Sequence, residues 1–428
     1  MARETVEVTG TLSASPEAAW AIVSDFAGKW HPAIATIRAE HDAQGSLIRA
    51  FTVHGEDTVY RERLTWLSHS DRTLGYRHLQ GIRGADAYDA RISIQEAESG
   101  GSTVRWSAVV AADGPRLRQI CEGTRSIFEA GLAALRDLAG TAAAETAVQH
   151  PTAPTHDVTI EGEPQLALTV TPTRTGPLCL FLHGIGGARG NWLPQLAAAG
   201  AVMRSAALDL RGYGGSALGP KQSTVDDHCD DILRVKETLG AERLVLVGLS
   251  FGSWIATSFA MRHPEMLAGL VLSGGCTGMS EAGPEEREAF RTSRQAPLAA
   301  GRTPADFAPA VVEVLAGPDA PEAVRSTLLS SMAAIPSTTY ADALACFTNP
   351  PERFVFSRLT MPVLMMTGEH DRLASPAEIR GVANRILAEA ERPDVRYETI
   401  GHAGHVCNVE QPEAFNRLLL DFLRRLPR

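Results

Sequence analysis

Gly248-Leu249-Ser250-Phe251-Gly252 is the segment whose residue types and spacing specify chemistry most directly. The apolar run Arg243–Val247 precedes it and the apolar stretch Trp254–His263 follows it. The order strand, GxSxG, helix is that of a sharp turn holding a nucleophilic serine above the strand ends. Glycines at both flanks allow the close backbone approach such a turn needs. A serine hydroxyl is a weak nucleophile unless a base lies within hydrogen-bond reach. His405, in Gly404-His405 after the strand-like Val395–Ile400, is the candidate base. Asp371, in Gly368-Glu369-His370-Asp371 after the run Met361–Gly368, is the candidate acid that would fix the imidazole tautomer. His402 and Glu369 are the rival base and acid; each sits nearer its strand and is read as packing or support.

Acyl transfer also requires two donors for the oxyanion. One is expected to be the N–H of Phe251, at the start of the helix after the nucleophile. The other is expected from the loop His183-Gly184-Ile185-Gly186-Gly187, with Ile185 favoured and Gly186 second. That loop lacks GxxxxGK[ST], so a phosphate cradle is disfavoured. His183 is expected to brace the loop, and Asp209 and Arg211 of Asp209–Ser216 to make structural polar contacts.

These groups need elements to position them, and the chain supplies two textures. From Asp157 onward, short runs such as PLCLFLHG, RSAALDL, RLVLVGLS, LAGLVLSGG and MPVLMMTGEHD are apolar almost throughout, as buried parallel strands are. Helical stretches such as TVDDHCDDILRVKETLG and PEAFNRLLLDFLRRL alternate with or follow them, predicting a doubly wound α/β domain. The interval 276–357 breaks that rhythm and predicts a mostly helical cap. Before it, Ser15-Pro16-Glu17 reads as a helix start. Alternating runs SLIRAFTV, TVYRERLTWL, TLGYRHL, YDARISIQ and TVRWSAVV predict an antiparallel meander. Leu117, Cys121, Thr124, Phe128, Gly131, Leu135 and Leu138 then predict one stripe on a long closing helix. The Ala/Thr/Pro-rich Gly140–His156 reads as a linker, giving domains at 1–140 and 157–428.

The first region, about residues 3–140, resembles the START-like helix-grip (SRPBCC) superfamily, and more closely its polyketide cyclase/dehydrase-like members. ASPEAAWAIVSDF, Trp30-His31-Pro32, Glu62-Arg63-Leu64, Tyr76, Tyr88 and Val104-Arg105-Trp106 carry that resemblance. It implies an antiparallel sheet wrapped on a long C-terminal helix, with a cavity for a small apolar or aromatic ligand. His31, His54, Tyr60 and Arg61 are polar candidates for that cavity. The second region resembles the α/β-hydrolase superfamily through HGIGG, DLRGYGGS, GLSFGS, TGEHD and GHAGHVCNVEQPE, in family order. Its texture is most similar to enol-lactonases, esterases and meta-cleavage hydrolases. The chain order Ser250, Asp371, His405 is also the family's. Ser253 departs from it, standing where many relatives have a second glycine. A halide-releasing reaction is disfavoured, because haloalkane dehalogenases carry aspartate at the nucleophile position.

Composition narrows the remaining classes. With 428 residues, 44% hydrophobic and 21% charged, the chain reads as a two-domain globular enzyme. No run approaches the roughly 18 apolar residues of a membrane helix. A net charge of -10 argues against nucleic acid as a partner. MARETVEVTG shows no basic-then-apolar pattern, and six scattered cysteines form no CxxC pair, so a cytoplasmic protein with reduced thiols is expected. The expected reaction is hydrolysis of a carboxylic ester or lactone of a small molecule, requiring no metal or organic cofactor. C–C hydrolysis of a diketone and thioester release or cyclisation are the enzymatic alternatives. A degenerate hydrolase that senses a ligand is the non-enzymatic one.

Overall fold

The computed structural model describes residues 2–97, 100–139, 152–172, 175–351 and 353–426. Most of the proposed linker, 140–151, therefore lies outside the described residues. The described residues divide into two compact units, one drawn from 1–148 and 392–398, the other from 149–391 and 399–428.

In the first unit, Ala2–Leu12 (β1) precedes a short helix, Pro16–Val23 (α1), which Ser15 caps by accepting the N–H of Ala18 at 3.2 Å. Ile34–His41 (β2), Leu47–Val53 (β3), Tyr60–Ser68 (β4), Thr73–Gln80 (β5), Ala85–Glu96 (β6) and Ser102–Ala112 (β7) follow. They pair antiparallel in the order β1-β7-β6-β5-β4-β3-β2. The meander was legible, whereas β1 and β2, exposed along much of their length, were not.

Gly114–Ala139 (α2) lies over β1 and β7. Its stripe runs through Leu117, Cys121, Thr124, Phe128, Gly131 and Leu135 and ends on Ala139, because Leu138 has rotated outward and is 40% exposed. Phe128 stacks on Trp106 with centroids 4.4 Å apart. A Cβ on Gly131 would come within 2.6 Å of Trp106 and 2.8 Å of His31, so glycine lets the helix approach the sheet there. Of the four polar candidates, only His31 turns inward. Its Nδ1 accepts the N–H of Ala33, so Nε2–H donates to the carbonyl of Ile127 at 2.9 Å. His54 is exposed, while Tyr60 and Arg61 reach the outward carboxylates of Glu56 and Glu40. Alternation alone could not tell which strand face was inside. The inner polar group that pattern did not reveal is the buried pair Arg49–Glu62, 2.6 Å apart, with the guanidinium against Phe26 and Tyr76.

The second unit begins with His156–Ile160 (β8) and Leu166–Val170 (β9), then Leu178–Leu182 (β10), Leu193–Gly200 (α3), Ser205–Leu208 (β11), Val225–Thr238 (α4), Leu244–Leu249 (β12), Phe251–Arg262 (α5) and Leu267–Ser273 (β13). Four helices follow: Pro284–Ala299 (α6), Pro304–Leu315 (α7), Glu322–Ala333 (α8) and Ser337–Phe347 (α9). Val363–Gly368 (β14), Pro376–Glu389 (α10), Cys407–Glu410 (α11) and Pro412–Arg425 (α12) complete it, while Val395–Ile400 (β15) straddles the division, residues 395–398 falling in the first unit. Strands β11, β10, β12, β13 and β14 are parallel neighbours in that order, and β9 and β8 continue antiparallel beyond β11. Every residue of β10, β12 and β13 is buried, as a parallel strand covered on both faces requires. The helical insertion α6–α9 separates two adjacent parallel strands and leaves their hydrogen bonds intact. Among the described residues no helix is long and apolar enough to cross a membrane. All six cysteines are buried and none is in a disulfide.

Candidate active site

The ends of β12, β14 and β15 deliver the candidate residues. Ser250 follows β12 with φ 54° and ψ -114°, a conformation that costs a non-glycine residue about 1–3 kcal/mol. The surroundings enforce it. The N–H of Ser250 donates to the carbonyl of Ser273 at 2.8 Å, and its own carbonyl accepts the N–H of Trp254 at 3.1 Å. A Cβ on Gly248 would lie 2.4 Å from the Gly252 carbonyl oxygen, and one on Gly252 2.2 Å from that of Leu182. Both glycines of the motif are therefore fixed by backbone contact.

Ser253 is the part of this turn that departs from the family pattern, and it has a definite place. Its hydroxyl accepts the N–H of Ser273 at 3.0 Å and lies 2.8 Å from the carbonyls of Gly248 and Ser273. It thus ties the turn to β13 from a fully buried position. Ser253→Ala is expected to destabilise the protein by about 1–3 kcal/mol, since a buried N–H loses its acceptor. Urea unfolding of the variant measures this directly.

His405 and Asp371 meet after β15 and β14. Nδ1 of His405 lies 2.9 Å from Oδ2 and 3.1 Å from Oδ1 of Asp371, both side chains being buried. The carboxylate also accepts the N–H groups of Leu373 at 2.8 Å and Ala374 at 2.9 Å. Burial by itself would raise the Asp371 pKa. The hydrogen bond and charge of His405, with the two backbone donors, outweigh burial and hold it below the ordinary value. A carboxylate on Nδ1–H leaves Nε2 as the proton acceptor. Neither Nε2 of His405 nor Oγ of Ser250 is hydrogen-bonded to another described residue, and the two residues line one cavity of about 870 Å³. Gly274 and Gly275, both at positive φ, pass close to the two residues. A Cβ on Gly274 would sit 3.2 Å from the His405 ring, and one on Gly275 3.7 Å from Cα of Ser250.

The rivals fall elsewhere. His402 is exposed, its N–H donating to Glu369 at 3.0 Å, so this pair braces the turn before His405. Glu410 braces the same loop from inside: its carboxylate accepts the N–H of Gly404 at 3.0 Å and that of Gly317, after α7, at 2.7 Å. The N–H of His405 donates to the carbonyl of Leu315 at 2.7 Å. The helical insertion is thereby stitched to the imidazole's own backbone, a contact no local pattern announces.

The glycine-rich loop comes close to Ser250, since a Cβ on Gly184 would be 3.3 Å from Cβ of Ser250. Nε2 of the buried His183 accepts the N–H of Leu210 at 3.0 Å, so its Nδ1–H donates to the Gly184 carbonyl at 2.8 Å. Tyr213 donates its phenol to the Ile185 carbonyl at 3.0 Å. The N–H of Gly187 is used in a turn with Gly184, whereas those of Ile185, Gly186 and Phe251 have no acceptor among the described residues. Asp209 holds the loop through Arg189, and Arg211 binds Asp231 at 2.9 Å.

Comparison with known proteins agrees with this architecture. Residues 3–140 match the family described as polyketide cyclase / dehydrase and lipid transport. RutD of Cronobacter turicensis, a protein assigned to carbamate hydrolysis, is 25% identical over 60% of this chain and 94% of its own length. Epoxide hydrolase 3 of Xenopus tropicalis is 25% identical over 59% of this chain and 72% of its own. Among solved structures, a thermophilic esterase of Thermogutta terrifontis is 27% identical with a TM-score of 0.53, covering 64% of this chain and 99% of that one. Residues 177–412 match the family described as alpha/beta hydrolase fold, and the chain belongs to that family.

Proposed function

We propose that the chain is a serine hydrolase that cleaves a carboxylic ester or lactone of a small organic molecule through an acyl-enzyme. The observation that carries this reading is the strained Ser250, facing the same cavity as a His405 whose Nδ1 is held by Asp371. His405 Nε2 takes the hydroxyl proton as Oγ attacks the carbonyl carbon. The N–H of Phe251 and that of Ile185, with Gly186 as the second choice, receive the oxyanion. The leaving group departs with the proton from His405. Water, deprotonated by the same nitrogen, then releases the acid.

The relatives' names span carbamates, epoxides and esters, and the nucleophile discriminates among these. An epoxide opened by Ser250 Oγ would leave an ether, which offers water no carbonyl to attack. Carbonyl substrates fit a serine; epoxides do not. A fluorophosphonate probe is expected to label Ser250 stoichiometrically, located by peptide mass spectrometry. Short 4-nitrophenyl esters are expected to turn over faster than a vinylogous diketone. Absence of labelling would sink the reading and favour a ligand-sensing role, while preference for the diketone would favour C–C hydrolysis.

The first unit is proposed to bind a small apolar or aromatic molecule, supported by the family match and by aromatic inner-face residues such as Trp106, Phe128 and Tyr76. Mass spectrometry of compounds released from the full-length protein on denaturation tests this.

A further inference from the structure

The cavity that holds Ser250 and His405 also exposes a cation to its interior. Arg294, on cap helix α6, lines this cavity. Its guanidinium carbon lies 3.7 Å from the ring centroid of Phe290, also a cavity residue. Phe290 meets Phe347 at 5.8 Å, and Phe347 meets Phe251, the residue after the nucleophile, at 5.9 Å. An aromatic row thus leads from the arginine to the reacting carbon's place.

What sets Arg294 apart is its company. On the same helix, Arg291 pairs with Glu288, and Arg287 donates to the carbonyls of Met279 and Ser280. Arg294 donates only to the hydroxyl of Ser293, at 3.3 Å, with no carboxylate within ion-pair distance among the described residues. Three acidic residues do line the cavity. Glu281 is taken by Arg385 through two hydrogen bonds of 2.8 Å, and Glu286 and Glu378 are exposed. A half-buried guanidinium on an aromatic face, with its fork unfilled, is a preorganised receptor for a planar anion.

We propose that the substrate carries a carboxylate several bonds from its scissile carbonyl, and that Arg294 receives it and sets specificity. This rests on the serine-hydrolase reading of the same cavity. The carboxylate would lie at the Phe290 end of the aromatic row while the ester carbonyl reaches Ser250. Neutral esters lack the ion pair, and an ammonium at that position meets a like charge.

The test uses three 4-nitrophenyl esters of matched length, those of heptanedioic, heptanoic and 7-aminoheptanoic acids, each corrected for spontaneous hydrolysis. The wild-type protein is expected to favour the carboxylate ester over the neutral one by at least tenfold in kcat/KM, with the ammonium ester poorest. Arg294→Gln is expected to lower kcat/KM for the carboxylate ester at least tenfold more than for the neutral ester, chiefly through KM. Arg294→Lys should recover part of the preference. Equal losses on both esters, or a wild-type preference for the ammonium ester, would overturn the proposal. Calorimetric binding of heptanedioate to Ser250→Ala, with and without Arg294→Gln, reads the same contact without turnover. Weakening of at least tenfold supports it, and unchanged or undetectable binding in both proteins refutes it. If no ester is hydrolysed by the wild type, the serine-hydrolase reading fails while calorimetry still decides the role of Arg294.

Discussion

Ser250→Ala is expected to lower kcat for the best carbonyl substrate by about 10⁴–10⁶-fold, with KM changed little. The loss is that large because, in the proposed mechanism, the hydroxyl supplies the covalent route itself, while the proposed oxyanion donors and the cavity survive the substitution. A residual rate above that in water should persist, set by Phe251 and Ile185 N–H groups acting on direct attack by water. The backbone at this position offers a second readout. At φ 54° and ψ -114°, alanine inherits the strain of serine, whereas glycine does not. Ser250→Gly should be as inactive as Ser250→Ala yet more stable than it by about 1 kcal/mol or more. Chemical denaturation of the two variants side by side measures that difference. Equal stabilities would mean that the turn is not strained. Retained activity in both would mean that the chemistry lies elsewhere.

The parts of this site that could be read in the sequence are those declared by a local rule. Ser250, Asp371 and His405 each follow an apolar strand-like run and stand in glycine-rich turns, so residue type and chain order together single them out. The structure brings Ser250 and His405 to one cavity and sets Asp371 behind it, on Nδ1 of His405. The loop Gly184–Gly187 was legible for the same reason. What stayed hidden depends on contacts between segments remote in sequence. Glu410 stands within GHAGHVCNVEQPE, yet nothing local says that its carboxylate reaches Gly317, at the end of cap helix α7. The sequence marks Ser253 as a departure, but only the packing of β12 on β13 shows it accepting the N–H of Ser273. Arg294 looks like any arginine on a charged helix, until the fold places it over Phe290 in the cavity wall.

The fold divides along the same line. Buried parallel strands announce themselves because both faces must be apolar, so β10 to β14 were visible as runs. In the first unit one sheet face carries polar residues, and a period-two pattern says that two faces differ without saying which is inside. Tyr60 faces outward from β4, while His31, in the loop before β2, turns inward because α2 offers it the carbonyl of Ile127. The outward turn of Leu138 has a similar cause. A step of three from Leu135 leads to it, whereas the packed face passes to Ala139 at the fourth residue.

Asp371→Asn should separate what the carboxylate does for catalysis from what it does for stability. The carboxylate accepts the Nδ1–H of His405, which leaves Nε2 bare, the atom proposed to take the Ser250 proton. Asparagine is nearly isosteric, but its amide nitrogen can donate to Nδ1 and so drive the ring proton onto Nε2, where it blocks the base. Loss of about 10⁴-fold in kcat is expected from the wrong tautomer alone, with the cavity and KM largely retained. Stability responds with a definite sign. The folded Asp371 pKa lies below the ordinary value of 3.8, because the His405 contact and two backbone donors outweigh burial. The folded state therefore binds that proton less readily than the unfolded chain does. The resulting stabilisation is fully present above the unfolded pKa and is lost as pH falls through the folded one. Urea unfolding between pH 6 and about pH 3 should show wild-type stability falling below about pH 4, and Asp371→Asn should fall less steeply there. Parallel slopes for the two proteins would mean that Asp371 is not held as the anion by its partners. The lost activity would then need a cause other than the wrong tautomer, since a protonated carboxyl could not fix the imidazole.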